Sequence, residues 1–343
     1  MIANLNNEEG ANNGAINLNA SGFEAKAAPN NLGANNDFVY MAIRKAPMAT
    51  PTSRSSVFAI DTRTGDDGVE PAFTSGFIVD AALYSITHLS YDRIMASRLL
   101  DNQKLDTSDN GPESTFDGFE WDFPNGWHYL TSDSPNIYSW MFRRAPKFFD
   151  VVPYVGTGSA KTENHNLGVA PEMMWVKLRN YDSEDWAVYY GDATDYLKLN
   201  TDAATADDNA YWNDTAPTST VFTVGTQDDV NKSGRYYIAY LFATLAGISK
   251  VGTFSHTNGS STDVDCGFSS GSSFVIAKRT DSTGDWFLWD STRGIVSGND
   301  PYVVLNSTAA QVTNTDYIDP LNSGFQIASG FTTGSYMFYA IAA

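Results

Sequence analysis

Acidic side chains precede two tryptophans, Trp186 and Trp286, that lie 100 residues apart. The acids are Asp182, Glu184 and Asp185 before the first tryptophan, and Asp281 and Asp285 before the second. Carboxylate oxygens in a flexible loop are the ligands that Ca²⁺ prefers, and the ion takes roughly six to eight of them. The spacing does not match an EF-hand loop, and Asp is also an ordinary turn residue. The pattern therefore leaves open a Ca²⁺ site or a set of solvated turns, and it indicates no other cofactor.

Two short segments resemble nucleotide or metal motifs but lack the parts that such chemistry needs. GTGSAK at residues 156–161 follows an apolar run, as a phosphate-binding loop does, yet it has no Lys-Ser/Thr pair and no helical pattern after it. We predict a hairpin turn there. GDD at residues 65–67 lies within RTGDDGVEP, whose composition is that of a plain turn.

The sequence contains no recognisable catalytic constellation. The four histidines have no other His or Cys at a metal-ligand spacing, and a ring nitrogen of His165 is expected to bond to backbone. No G-x-S-x-G nucleophile elbow is present. A glycosidase needs two carboxyl groups roughly 5–10 Å apart in a cleft, and sequence cannot show that distance. We therefore predict that the protein is not an enzyme, and a glycan depolymerase is the alternative that stays open.

One group of residues near the C-terminus has the composition of a sugar-contact surface. The candidates for contact with a receptor or glycan are Asp281, Asp285, Trp286, Arg293, Asn299, Asp300 and Tyr302. Carboxylates, amides and aromatic rings together suit hydrogen bonding and stacking with a neutral sugar. The tryptophans of WAVYY and WFLWD lie in alternating strands, so an inward ring in the core is the principal expectation and sugar stacking is the alternative.

Composition excludes several classes of partner. The 343 residues include 40 Asp and Glu against 21 Lys and Arg, for a net charge of -19, and no basic cluster is present that could neutralise phosphates. We therefore expect no binding to nucleic acid. We also expect no insertion into a membrane, because no apolar run reaches the roughly 18 residues that a bilayer requires. The first residues lack the order of a signal peptide, and Cys266 alone cannot form an internal disulfide.

The elements that position these residues are predicted to be strands. Apolar runs of four to seven residues, such as FVYMAI at 38–43 and YYIAYLF at 236–242, are bounded by Asn, Asp, Gly, Ser or Thr. Helical periodicity is poor, with a weak exception at residues 91–100 (YDRIMASRLL). The sequence therefore predicts an all-β protein.

An internal repeat divides the chain. Aromatic and aliphatic strands recur so that Ile43, Phe142, Phe242 and Ile341 are separated by 99, 100 and 99 residues. A unit of about 100 residues has the size of one β-sandwich. We predict a diverged N-terminal module with an extra leading segment at 1–146 and sandwich repeats at 147–246 and 247–343. No long flexible linker separates them, so the modules are expected to be joined semi-rigidly.

Four long segments carry a resemblance to a known family. Residues 165–179, 211–225, 236–252 and 278–310 resemble a repeated domain of unknown function that occurs in virion and tail-fibre-like proteins of marine bacteriophages. The resemblance implies tandem antiparallel sandwiches of the concanavalin-like or jelly-roll type. It also implies a virion structural protein that is made in the host bacterial cytoplasm and contributes, as a tail fibre or adhesin, to attachment to host-surface glycans. A capsid-decorating or tail-scaffold protein without a receptor is the alternative.

The expected partners follow from that resemblance. They are other virion proteins of the tail or capsid, a host-surface glycan, and further copies of the chain, with a homotrimer as the first hypothesis. Residues 1–36 are rich in Asn, Ala and Gly, so they are expected to order only against a partner. We predict that 1–146 contacts the virion and that the loops of 247–343 face outward.

Overall fold

The computed structural model describes residues 16–19, 22–25, 49–63, 69–116, 118–129, 136–181 and 184–343. The chain divides into two compact bodies, Met1–Met48 and Ala49–Ala343. In the first body, β1 (Ile16–Asn19) pairs antiparallel with β2 (Gly22–Ala25). The expectations for residues 1–36, for a strand at 38–43 and for a turn at 65–67 lie outside the described residues.

The described part of the second body forms three β-sandwiches in chain order, named here the first, second and third sandwich. The first sandwich follows a 3₁₀ helix at Arg54–Ser56. Its strands are β3 (Phe58–Arg63), β4 (Phe73–Thr74), β5 (Ala81–Ile86), β6 (Ile94–Ser97), β7 (Gln103–Asp106), β8 (Ser114–Thr115), β9 (Phe119–Glu120), β10 (Gly126–Tyr129) and β11 (Ile137–Phe142).

The second sandwich contains two short helices besides its strands. The strands are β12 (Phe149–Val155), β13 (Lys161–Asn164), β14 (Met173–Leu178), β15 (Ala187–Tyr189), β16 (Asp195–Lys198), β17 (Ala206–Asp207), β18 (Val221–Val224) and β19 (Tyr236–Phe242). The helices are α1 (Asn209–Trp212) and α2 (Asp228–Asn231).

The third sandwich completes the chain. Its strands are β20 (Ser249–His256), β21 (Thr262–Asp265), β22 (Ser272–Arg279), β23 (Trp286–Asp290), β24 (Tyr302–Val304), β25 (Ile318–Leu321), β26 (Gly324–Ile327) and β27 (Gly334–Ala342). The prediction of a nearly all-β protein built from antiparallel sandwich modules is confirmed. No helix among the described residues has the length and apolar character needed to cross a bilayer.

The three main sheets share one antiparallel strand order. In each, the opening strand pairs with the closing strand, and a run of three further strands follows: β3-β11-β5-β6-β7, β12-β19-β14-β15-β16 and β20-β27-β22-β23-β24. A smaller sheet packs on the outer face of each main sheet, with the orders β4-β10-β9, β13-β18 and β21-β26-β25. Phe142, Phe242 and Ile341 occupy matching positions in the three closing strands.

Both faces of the main sheets are buried, which explains their uninterrupted apolar sequences. All six residues of β5 and of β14 are buried. The outer face of a main sheet packs on its small sheet, as Tyr84 packs beside Trp127 at 5.6 Å between ring centroids. The inner faces of all three main sheets meet in one shared core. Strands buried on two sides lose the alternation that marks a half-exposed strand.

Aromatic rings from all three sandwiches meet in that shared core. The ring centroid of Phe142 lies 6.1 Å from that of Phe242 and 6.0 Å from that of Phe274. The ring of Phe242 lies 5.0 Å from that of Tyr339. Burying such rings stabilises a fold by about 1.5–3 kcal/mol for each side chain. The sandwiches therefore hold one another together through their largest apolar faces.

The joints between the sandwiches are tight turns. An antiparallel bridge joins Ala145 to Phe149, and a matching bridge joins Leu245 to Ser249. Each turn contains a residue in the left-handed region, Lys147 with φ 65° and Gly247 with φ 73°. The chain passes from one sandwich to the next within a few residues.

Backbone hydrogen bonds close the three sandwiches into a ring, at contacts named here the seams. A segment that follows the β7, β16 or β24 strand reaches the neighbouring sandwich. The bonds run from Glu113 N to Arg179 O at 2.7 Å, from Thr205 N to Thr280 O at 3.0 Å, and from Gln311 N to Thr87 O at 2.7 Å. The first sandwich thus donates to the second, the second to the third, and the third to the first.

Side chains reinforce every seam at one matching position. Trp186 Nε1 donates to Asp106 O at 2.9 Å, and Trp286 Nε1 donates to Lys198 O at 2.9 Å. In the first sandwich the same sheet position holds Arg93, whose guanidinium donates to Ala309 O of the third. A buried donor from each sandwich therefore satisfies a carbonyl of the neighbouring one.

Two local predictions are wrong. Residues 91–100 contain the strand β6 rather than a helical turn, because Ile94–Ser97 are fully buried and pair with β5. Residues 156–160 are not a hairpin turn. They connect β12 in the main sheet to β13 in the small sheet, and these two strands pair with β19 and β18 respectively.

Candidate functional site

The structure buries four of the seven residues predicted to contact a glycan. Trp286 and Asp300 have no exposed surface, and Tyr302 is 9% exposed. The Arg293 guanidinium pairs with Asp290 at 2.6 Å, and both side chains are buried. Side chains enclosed in this way cannot meet a sugar, so these four do not form a contact surface. The inward orientation expected for the tryptophan rings is confirmed.

The other three predicted contact residues are exposed or half-buried. Asp281 is exposed and accepts a hydrogen bond from Arg279 Nε at 2.6 Å. Asn299 is exposed in the loop before β24. Asp285 is half-buried and accepts from Asn306 Nδ2 at 3.0 Å. For these three, contact with a glycan stays a prediction.

The aspartate before each tryptophan belongs to a clamp that holds the strand entrance. In the second sandwich, Asn200 Oδ1 accepts from Trp186 N at 2.9 Å while Asn200 Nδ2 donates to Asp185 Oδ1 at 2.7 Å. In the third, Asn306 makes the same pair of bonds to Trp286 N at 2.9 Å and to Asp285 Oδ1 at 3.0 Å. These acids thus orient an amide that satisfies a buried backbone N–H.

The other acids of these loops are held by cations. Glu184 pairs with Lys232 at 3.1 Å, and Asp281 pairs with Arg279 at 2.6 Å. Within the part of the chain that the structure describes, no three or more His, Cys, Asp or Glu side chains are grouped so that they could hold a metal ion. Asp182 lies outside the described residues, and a Ca²⁺ site there stays a prediction.

A mixed polar and aromatic cluster lies on the second sandwich at the seam with the third. Asp185 lies two residues before β15, and Tyr196 and Lys198 lie on β16. Because side chains alternate along a strand, Leu197 points into the shared core while Tyr196 and Lys198 point to the other face. Lys198 Nζ lies 2.6 Å from Asp185 Oδ2.

Helices α1 and α2 pack against this cluster and hold its side chains in place. Tyr211 of α1 stacks on Tyr196 with 3.7 Å between ring centroids and 12° between ring planes. The Tyr211 hydroxyl donates to Asp229 Oδ2 of α2 at 2.6 Å. Asp229 Oδ1 accepts from Asp185 N at 2.8 Å, so one carboxylate ties both helices to the segment that carries Asp185.

A shallow pocket of about 290 Å³ opens at the cluster. It is lined by Asp185, Tyr196, Lys198, Thr201, Ala203, Ala204 and Ala206. The backbone around it is fixed by the seam, since Lys198 O accepts the Trp286 indole and Thr205 N donates to Thr280 O. The pocket therefore combines a carboxylate, an ammonium, a phenol ring, a hydroxyl and methyl groups on a rigid frame.

Electrostatics keep the ion pair of the pocket charged at neutral pH. Burial alone would raise the pKa of Asp185, but hydrogen bonds from Asn200 and Lys198 outweigh it and lower that pKa. Burial alone would lower the pKa of Lys198, and the hydrogen bond to Asp185 raises it instead. Burial raises the pKa of Asp229 beneath them. An acid with a lowered pKa and an amine with a raised one are poor proton donors and acceptors, which suits binding better than catalysis.

A family defined by sequence covers this site. A domain of unknown function, DUF7483, matches residues 98–343, well over half of the chain. The chain belongs to the DUF7483 family. No curated protein matches this chain, and no solved structure does.

The DUF7483 region begins after β6 of the first sandwich and contains all of the second and third. It therefore includes both Asp–Asn–Trp clamps and the whole pocket lining. The region also includes two of the seams. Glu113 and Arg179 bond across the seam between the first and second sandwich, and Thr205 and Thr280 bond across the seam between the second and third.

The DUF7483 region also contains two fully buried lysines at the seams. Lys177 Nζ donates to Asn110 O at 3.1 Å and to Glu184 O at 2.7 Å. Lys278, at the matching position of β22, donates to Asp202 O at 3.0 Å and to Gly284 O at 2.6 Å. His165 has the backbone partner expected for it, since its Nδ1 accepts from Leu167 N at 3.2 Å.

Sequence reasoning missed Tyr196, Lys198 and the two supporting helices. A signal was present, because YLKLN at residues 196–200 matches YVVLN at residues 302–306, and the difference between Lys198 and Val304 marks where the two sandwiches diverge. The stacking of Tyr211 on Tyr196 has no such signal. It depends on a four-residue helix that Asp208 caps, and that helix is too short to give a periodic pattern.

Proposed function

We propose that this protein is a bacteriophage virion structural protein, a tail fibre or adhesin that contributes to attachment to host-surface glycans. The sequence resemblance to virion and tail-fibre-like proteins supports the class. The observation that carries the proposal is the closure of three sandwiches into one ring with a shared core, beside which a polar and aromatic pocket opens. A body of that kind resists deformation and presents fixed side chains, as attachment under mechanical load demands.

The protein is expected to be made in the host bacterial cytoplasm and to end in the virion, bound to other tail or capsid proteins. The N-terminal part is proposed to make the virion contact, and the third sandwich is proposed to face outward. A homotrimer stays the first hypothesis for its assembly. Because the inner faces of the main sheets are already buried within one chain, further copies would have to associate through outer surfaces.

The full chain tests the attachment role directly. Purified protein should bind host cells and compete with adsorption of the phage that carries it, and an antibody against it should label the virion tail in electron micrographs. Failure to bind cells, together with no labelling of virions, would refute the proposal. Light scattering on the same sample would measure the oligomeric state.

A capsid-decorating or tail-scaffold role is the second candidate. The ring closure favours it as well, since a rigid body without a receptor would need the same shared core. Labelling over the capsid, or tail labelling without any binding to host cells, would select this candidate.

A glycan depolymerase is the least supported candidate, because the charged pair of the pocket is poorly suited to proton transfer. Sustained release of reducing ends from host envelope polysaccharide would establish such an activity. An unchanged polysaccharide after prolonged incubation would support the non-enzymatic proposal.

A further inference from the structure

The pocket of the second sandwich differs in one decisive way from the matching place on the third. Lys198 pairs with Ala187, the residue directly after Trp186. Val304 holds the same place in the third sandwich, where it pairs with Phe287, the residue directly after Trp286. Replacing the lysine with a valine removes the ion pair with the preceding aspartate. The second sandwich thus carries an ammonium group that the architecture itself does not require.

The tyrosines at the two places also differ in surroundings. Tyr302, which matches Tyr196, is covered by a bridge to Val312 and by Tyr317, whose ring centroid lies 5.8 Å away. Tyr196 is half-buried, lies against Tyr211 and lines the pocket. A ring held by stacking on a second ring is a rigid platform with low conformational entropy to lose on binding.

The chemistry of the lining selects a class of ligand. A carboxylate accepts two hydrogen bonds from adjacent hydroxyl groups, and an ammonium donates to hydroxyl oxygens. The tyrosine ring and the methyl groups of Ala203, Ala204 and Ala206 suit the C–H face of a sugar ring. Because Asp185 and Lys198 neutralise each other and the whole chain carries a net charge of -19, a neutral ligand is favoured over an anionic one.

We propose that the pocket formed by Asp185, Tyr196, Lys198 and Thr201 is a binding subsite for one neutral, hydroxyl-rich sugar unit. The inference rests on the proposed attachment role for its ligand class, and it names the residues that would recognise the glycan. A volume of about 290 Å³ lies just below the range of drug-sized ligand sites and fits a single sugar ring.

The test uses saturation-transfer NMR on the full chain with the methyl glycosides of glucose, galactose, mannose and N-acetylglucosamine. Lys198→Val is the main variant, because the third sandwich carries valine at this place, and Asp185→Asn is the second. The matched control is Asp265→Asn, at an exposed aspartate of β21 in the third sandwich that accepts a local hydrogen bond from Gly267 N. Thermal melts of each variant verify that it is folded.

At least one glycoside should bind the wild-type chain, and both pocket variants should weaken that binding tenfold or more, while Asp265→Asn leaves it unchanged. Absence of saturation transfer from every glycoside would overturn the inference, and so would equal affinity in the pocket variants. The proposed function fails separately. If the wild-type chain binds host cells and Lys198→Val binds them equally well, the attachment role stands and the subsite is refuted. If sugar binding depends on the pocket but the protein is absent from virions, the subsite stands and the attachment role is refuted.

Discussion

Lys177 and Lys278 show how single residues stabilise the seams. Each ammonium donates to one backbone carbonyl of its own sandwich and to one of the preceding sandwich, and neither side chain is exposed. Desolvation by burial lowers the pKa of each to about 8, and nearby carboxylates only partly offset it. A neutral amine can still donate to both carbonyls, so the contacts do not depend on the charge.

These lysines make stability depend on pH. In the unfolded chain their pKa is near 10.5, so between about pH 8 and pH 10.5 the unfolded state binds more protons than the folded state. The contribution of each lysine to the free energy of unfolding should therefore rise with pH across this window, by at most about 1.4 kcal/mol per pH unit. Urea titrations between about pH 7.5 and pH 8.5, well below the tyrosine pKa of about 10, measure the slope before the raised pKa values of the buried tyrosines oppose it.

The variant Lys278→Met should retain about half of the wild-type slope, because one of the two buried lysines remains. Lys147→Met, at an exposed lysine, is the matched control and should keep the full slope. A flat profile in the wild-type chain would contradict the assignment of the lowered pKa values.

The Asp–Asn–Trp clamp gives a second prediction at the scale of the residue. Asn306→Ala removes the acceptor of the buried Trp286 N–H and should lower the free energy of unfolding by about 1–3 kcal/mol. Asn299→Ala, at an exposed asparagine of the same sandwich, should change it by less than about 0.5 kcal/mol. Urea denaturation measures both, and equal effects would show that the clamp adds no stability.

At the scale of the element, the strands could be predicted and their partners could not. The run at 236–242 is a strand with the bounds expected for it, because turn residues interrupt the apolar pattern on both sides. The prediction for residues 91–100 was wrong because β6 is buried on both faces and so lacks the alternation of apolar and polar residues that marks a half-exposed strand. The pairing of Trp186 with the carbonyl of Asp106, 80 residues away, depends on how two sheets meet, and local sequence does not encode that.

The joint turns give a prediction at this scale. Gly247 has φ 73°, and a Cβ there would meet no atom within 4 Å, so Gly247→Ala tests backbone strain without a steric clash. It should destabilise the protein by about 1–2 kcal/mol. Lys147 already occupies the matching left-handed position. Lys147→Gly should relieve backbone strain in the folded state but raise the conformational entropy of the unfolded chain, so the free energy of unfolding should change by less than about 0.5 kcal/mol.

Thermal denaturation of both joint variants checks this comparison. A melting temperature of Gly247→Ala equal to that of the wild-type chain would contradict it. A large loss of stability in Lys147→Gly would show instead that the lysine side chain makes a contact of its own.

At the scale of the whole molecule, the shared core makes the sandwiches depend on one another. The inner face of the third sandwich carries Phe274, Ile276, Trp286, Leu288 and Tyr339, all buried against the other two. Cutting the chain at a joint would expose that face to water, and exposed apolar patches of this kind drive aggregation. Sequence periodicity alone favours three independent domains, because it cannot show that the inner faces of the three main sheets pack against one another.

Residues 49–343 should therefore unfold in one cooperative transition, with calorimetric and van't Hoff enthalpies that agree. The isolated third sandwich, residues 247–343, should fail to give a monomeric, cooperatively melting species. Separate transitions in the longer chain, or a well-folded monomer from the fragment, would contradict the interdependence.

In a homotrimer, one altered codon changes all three subunit contacts at once. Here the three seams are formed by different parts of one chain, so a residue at one seam can be substituted while the matching residues at the other two stay the same. The place occupied by Asp106 in the first sandwich holds Lys198 in the second and Val304 in the third: an anion, a cation and a hydrocarbon. A scaffold with threefold regularity can thereby acquire a feature on one side only, and its evolution is free of the symmetry that its architecture displays.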